Sequence, residues 1–165
     1  MSDAIAERFG DALREAGHTV ATAESCTGGL VGGRITAVPG ASDYYHGTVV
    51  AYDNDLKRRL LGVSREALDE RGAVSAQVAR ELARGVRDHA DVTWGLSTTG
   101  VAGPTGGTEE HPVGTVYIGI AYAGAWGTET SYATATRHEF DGDRAAVREA
   151  TVDRALGDLL AELEG

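Results

Sequence analysis

The apolar residues of this chain switch repeatedly between the spacing of an amphipathic helix and that of a strand, and no other feature restricts its fold as much. From Asp3 to Ala16, the residues Ile5, Phe9, Leu13 and Ala16 recur at helical spacing, and Gly17 stops the pattern. His18 to Ala23 is a short β-type run that leads through SCTGG into LVGGRITAV, a glycine-rich helix closed by Pro39 and Gly40. Tyr45 to Tyr52 predicts a second strand, after which Asn54 is placed to cap a helix through Leu61 that Gly62 ends. Ser64 and Ser75 cap two further helices. The first is closed by Gly72, and the second runs to about His89 with Val78, Leu82 and Val86 on one face. Val92 to Thr99 predicts a third strand, followed by the loop GVAGPTGGTEEHP. Val113 to Tyr122 and Thr128 to Arg137 form an antiparallel hairpin, and a long helix from Asp143 to Leu163 closes the chain. Strands alternating with helices, plus one hairpin, predict an α/β fold: a three-layer α/β/α sandwich with a mixed sheet. With no internal repeat or linker, residues 1–165 read as one domain.

Composition removes several classes of function. At 165 residues, such a domain buries roughly 70% of its unfolded surface and needs no staple. Cys26 is the only cysteine, which excludes an intrachain disulfide and a multi-cysteine zinc site. The histidines at 18, 46, 89, 111 and 138 fall in no metal-ligand spacing, so no catalytic metal is expected. The N-terminus lacks a basic region followed by an apolar run, and no stretch of 18 apolar residues occurs; a soluble cytoplasmic protein with no membrane partner is expected. A net charge of −10 disfavours sequence-independent binding to nucleic acid. The 15 basic residues comprise 14 arginines and a single lysine, Lys57. An acidic, lysine-poor surface suits a halophilic, high-salt cytoplasm, although a GC-rich genome also replaces Lys by Arg. In either case the retained lysine hints at a task that an always-charged guanidinium does not perform.

Three segments concentrate polar residues where chemistry is possible. Glu24-Ser25-Cys26-Thr27-Gly28-Gly29 lies at a strand end that opens a helix, so a hydroxyl there has unpaired backbone N–H groups beside it. The same residues are equally read as a tight turn in which Ser25 or Thr27 caps a helix. Cys26 as nucleophile is disfavoured, because no histidine lies near it in sequence. In Tyr52-Asp53-Asn54-Asp55-Leu56-Lys57, a cap at Asn54 puts Lys57 at the third helical position, where the macrodipole lowers its pKa. Burial and the neighbouring Arg58 and Arg59 push the same way, Asp53 and Asp55 oppose, and a solvated lysine is the plain alternative. Thr98 to Gly107 ends a strand with a glycine-rich loop containing Thr99, Gly100, Gly103, Gly106 and Gly107, which either wraps a phosphate or is a flexible connection. Arg144, at the start of the last helix, reaches that loop or stays in solvent.

Together the segments TAESCTGGLVGGRIT, VVAYDNDLKRRLLGV, TTGVAGPTGGTEEHPVGTVYIGIA and FDGDRAAVREATVDRAL resemble the CinA C-terminal domain family, in family order and across nearly the whole chain. The resemblance implies an α/β/α layered fold and a nicotinamide-mononucleotide amidohydrolase (deamidase) that uses a serine and a lysine, here Ser25 and Lys57, with Tyr52 on the family's tyrosine. It implies a pyridine nucleotide substrate held by Glu24, Thr27, Gly28, Gly29, Asn54, the Thr99–Gly107 loop and Arg144, with no cofactor and, by analogy, a homodimer. Two positions depart from the family pattern. Asp53 stands where Ser or Thr is usual and alters the charge around the lysine, and Thr105 follows Pro104 where a smaller residue is commoner. The chain resembles the stand-alone form, without the N-terminal domain of longer members. A non-catalytic nucleotide-binding or regulatory module is the rival reading, in which the same glycine-rich turns merely hold a ligand.

Overall fold

Each strand-type run of the sequence becomes a strand of one five-stranded sheet. In the computed structural model, which describes residues 2–165, the elements run α1 (Ser2–Ala16), β1 (Val20–Glu24), α2 (Leu30–Thr36), a 3-10 turn (Ala41–Asp43), β2 (Tyr45–Val50), α3 (Asn54–Leu61), α4 (Arg65–Arg71), α5 (Ala76–Ala90), β3 (Trp94–Gly100), β4 (Thr115–Tyr122), β5 (Tyr132–Glu139) and α6 (Arg144–Glu164). The strand order is β2-β1-β3-β4-β5, with β1 parallel to β2 and β3, and β4 antiparallel to both β3 and β5. The sheet is therefore mixed, as the hairpin predicts.

Helices cover both faces because their apolar stripes have a sheet face to meet. On one face Phe9 and Leu13 of α1, Ile35 of α2 and Val152, Leu156 and Leu159 of α6 bury against Val20, Leu96 and Ile118. On the other, Leu61 of α3, Ala67 of α4 and Val78, Leu82 and Val86 of α5 pack on Ala21 and Ala23. Helix α5 lies unusually close to the sheet: a Cβ at Gly95 or Gly119 would collide with the Ala83 or Ala79 carbonyl, and Ser97 Oγ donates to the Ala79 carbonyl at 2.6 Å.

Ser64, Ser75 and Asp143 cap α4, α5 and α6 with their side chains, each accepting from the amide three residues on. Helix α3 begins differently from the sequence expectation. Asp53, extended at φ −79 and ψ 144, is its N-cap and Asn54 is its first helical residue, so Lys57 is the fourth. The dipole acts more weakly there than at the third. The hairpin also departs: β5 starts at Tyr132 rather than Thr128, because Thr128 N–H donates to the Ala125 carbonyl and closes a turn before the strand. Among the described residues, no helix is long and apolar enough to cross a membrane. The parallel set β2-β1-β3 ends along one edge of the sheet, where ligands of α/β proteins bind.

Candidate active site

Ser25 follows the last residue of β1, and its amide donates to the Thr98 carbonyl of β3 at 3.2 Å. On the other side, Ala51 N–H donates to the Glu24 carbonyl at 2.9 Å, so the chain leaving β2 runs beside the chain leaving β1. Neighbouring strands stand about 4.8 Å apart. The topology thus brings Ser25 alongside the segment that carries Tyr52 and Lys57, the latter 32 residues away in sequence.

Glu24 is 1% exposed. Its carboxylate accepts from Thr27 Oγ1 at 2.6 Å, from Thr22 Oγ1 at 3.2 Å and from the amides of Gly29, Val31 and Gly32 at 2.9–3.0 Å. A buried charge survives there because charge-assisted bonds and the start of α2 replace its water shell. This corrects the expectation for two substrate-binding residues: Glu24 is fully spent on holding the turn, and Thr27, wholly buried, spends its hydroxyl between Glu24 and Thr98 Oγ1 at 2.8 Å. Gly28 and Gly29 adopt the left-handed backbone (φ 58 and 103) that lets the turn fold over the carboxylate.

The same contacts decide which amides remain for an oxyanion. Gly28 N–H donates to the Ser25 carbonyl and Gly29 N–H to Glu24, whereas the hydrogen bonds of the described residues leave the amides of Cys26 and Thr27 without a partner. Arg148 of α6 fixes the two peptides that flank the Thr27 Cα, and with them the Thr27 amide: its Nε donates to the Cys26 carbonyl at 3.1 Å and its Nη2 to the Thr27 carbonyl at 3.2 Å. In a trans peptide the N–H points opposite to its C=O, so the Thr27 amide faces away from the arginine. The Cys26 thiol is pushed up to about 11, chiefly by burial and further by Glu24, which keeps it protonated and unreactive at neutral pH.

Lys57 is as buried as Glu24, at 1% exposure, yet its environment is the opposite. Its Nζ donates to the Tyr52 carbonyl at 2.7 Å and to Asn54 Oδ1 at 3.4 Å, both uncharged acceptors. Burial lowers its pKa from the ordinary lysine value, against the pull of Asp53 and of Cys26. Arg58 faces Asp55 and does not contribute to that shift, contrary to expectation. Asn54, expected on the substrate, turns its Oδ1 to the lysine. Tyr52 supports the lysine through its carbonyl while its ring stays 65% exposed.

The glycine-rich loop sits beyond the end of β3. Thr99, 1% exposed, donates to the Ala73 carbonyl at 2.8 Å and so holds the α4–α5 connection rather than a ligand. Gly100 and Gly107 are small because β4 and its approach crowd them: a Cβ would stand 2.7 Å from the Thr115 carbonyl or 2.8 Å from the Val113 amide. Gly103 accepts from Arg144 Nη1 at 2.7 Å, and the arginine borders an open cleft of about 500 Å³ with Ala102, Pro104 and Val113. Gly106, at φ 90, is exposed, as is Gly107 on its outer side. Arg148 and Thr98 were not singled out from sequence; the available signal was that Arg148 lies one turn after Arg144 beside the buried Val147. Among the described residues, no group of His, Cys, Asp and Glu side chains could hold a metal ion.

The family model for the CinA C-terminal domain matches residues 2–163. A CinA-like protein of Salinibacter ruber is 51% identical over 148 residues, covering 90% of this chain and 34% of that protein. One from Nostoc sp. is 47% identical over 163 residues, covering 96% and 38%. The chain thus spans little more than a third of the length of these relatives. Among solved structures, the competence/damage inducible protein CihA of Agrobacterium tumefaciens superposes with a TM-score of 0.88 at 36% identity, covering 99% of this chain and 96% of that one. A CinA superfamily protein of Klebsiella pneumoniae 700603 does so at 0.92 and 30% identity, covering 99% and 98%. On this agreement of sequence and whole-chain superposition, the chain belongs to the CinA C-terminal domain family.

Proposed function

We propose that this domain is a serine amidohydrolase in which neutral Lys57 activates Ser25, and that its substrate is nicotinamide mononucleotide, converted to nicotinate mononucleotide and ammonia. The observation that carries the reading is Lys57: a fully buried amine in the first turns of α3, bonded only to uncharged acceptors, on the segment that leaves β2 alongside the end of β1 that bears Ser25. The substrate rests on the family resemblance.

In this mechanism Lys57 Nζ takes the proton of Ser25 Oγ as the oxygen attacks the carboxamide carbon. The amides of Cys26 and Thr27 receive the oxyanion, that of Thr27 already oriented by Arg148 before substrate arrives. The Lys57 ammonium then returns its proton to the departing nitrogen, and ammonia leaves. Water attacks the acyl-serine with Lys57 again as base, releasing the carboxylate and restoring Ser25. Arg144 and the loop from Gly103 to Gly107 are placed to hold the 5′-phosphate, with Arg144 supplying charge and the loop supplying amides.

Ammonia release from nicotinamide mononucleotide tests this, in low and molar salt, with Ser25→Ala alongside. Release by the wild type and none by the variant is the expected result. Equal nucleotide affinity in both proteins with turnover in neither would replace the enzyme by a binding module.

A further inference from the structure

Far from Ser25, the ends of three adjacent strands place a row of rings across the sheet: the first residues of β3 and β5 and the last of β4. Trp94 of β3 pairs with Tyr122 of β4, which pairs with Tyr132 of β5. The ring centroids are 4.7 Å apart for Trp94 and Tyr122, and 5.7 Å for Tyr122 and Tyr132. This row floors an open pocket of about 320 Å³, walled by His18, Glu162 and the last residues of α1 and α6. Trp94 opens β3 whereas Thr98 meets the Ser25 amide near its other end, which separates the pocket from the serine by roughly 15 Å.

Everything around this pocket has one electrical sign. The π faces are negative, and the C-terminal ends of α1 and α6 both terminate at its wall with the negative end of their dipoles. Glu162, exposed at the rim, accepts from Tyr132 Oη–H at 2.9 Å. Trp94 Nε1–H donates to His18 Nδ1 at 2.9 Å, which fixes the imidazole against the edge of the indole. No lysine or arginine is among the described residues that line it. The Tyr132 hydroxyl is pushed up to about 12 by burial and by Glu162, as an electronegative surrounding requires.

We propose that this pocket is a second ligand site, for a small organic cation of the quaternary-ammonium class, held by the half-buried Tyr122 and Tyr132 rings and by Glu162, with the buried Trp94 packed beneath them. Aromatic faces joined to a carboxylate recognise a charge that is spread over methyl groups and cheaply dehydrated. The proposal is independent of the amidohydrolase reading.

Choline serves as probe, with its uncharged isostere 3,3-dimethylbutan-1-ol as control and sodium chloride matched for ionic strength. The chain has two tryptophans, so the Trp126→Phe variant reports from Trp94 alone. Choline is expected to change Trp94 emission saturably, and the isostere to bind about fivefold or more weakly. Glu162→Gln, an exposed position, is expected to weaken choline about fivefold without affecting folding or amide hydrolysis, and Tyr132→Leu to weaken it further. Equal binding of choline and its isostere, or a choline response no larger than that of sodium chloride, would overturn the proposal.

Discussion

Two neighbouring strand ends each bury an ionisable side chain at 1% exposure, and they treat it in opposite ways. At the end of β1, Glu24 is given three backbone amides and two hydroxyls, all donors that favour the charged carboxylate. Beyond the end of β2, in the first turns of α3, Lys57 is given one carbonyl and one amide oxygen, and burial favours its neutral form. The difference separates a structural charge from a reactive amine. Glu24 stabilises the turn by being ionised, whereas Lys57 is useful as a base because its ionised form is disfavoured.

Substitutions should break this pair asymmetrically. Ser25→Ala and Lys57→Arg are expected to reduce amide hydrolysis by about a hundred- to ten-thousand-fold, the second because a guanidinium keeps charge without basicity; steady-state ammonia release measures both. Glu24→Gln is expected to destabilise the fold by about 2–4 kcal/mol, since its NH2 group would face amide donors; urea midpoints at neutral pH measure this. Lys57→Met, by contrast, should leave stability unchanged or raise it by up to about 2 kcal/mol while abolishing turnover. A loss comparable to that of Glu24→Gln would make Lys57 a structural charge as well.

Smaller effects sharpen the comparison. Arg148→Met frees the peptides flanking Thr27, and with them the Thr27 amide, so kcat is expected to fall about tenfold with KM little changed, a split that simple loss of stability does not give. The lowered pKa of Lys57 also fixes the sign of the pH dependence. The unfolded chain binds a proton that the folded chain lacks between the folded pKa and the ordinary 10.5, so stability rises with pH across that window and is flat above it. Activity rises with pH through the folded pKa. In Lys57→Met the stability slope over that window should shrink, as paired urea titrations would reveal.

Much of this was legible in the sequence, and the reasons are local. The elements follow from apolar period and from caps such as Ser64, Ser75 and Asp143, which act within three residues. Lys57 stood out because no other lysine surrounds it. The mixed sheet followed from the hairpin of β4 and β5. The role of Glu24 was not legible, because a carboxylate in a glycine-rich turn reads as a ligand contact until the fold turns the α2 amides onto it. Arg148 acts across 122 residues of sequence, and no periodicity announces such a contact. The start of α3 was misplaced by one residue because Asp53 and Asn54 are both good caps, and Asp53 takes the position without using its side chain.

The central claim is that Lys57 is an amine whose neutral form the fold favours. As the only lysine, it gives a single resonance in protein labelled with 13C at lysine Cε, and that resonance can be titrated directly. The account predicts a midpoint below the ordinary lysine value of 10.5, moving back toward that value when the protein is unfolded in urea. A folded-state midpoint at or above 10.5 would show that the buried amine is held as a charge, and would contradict it.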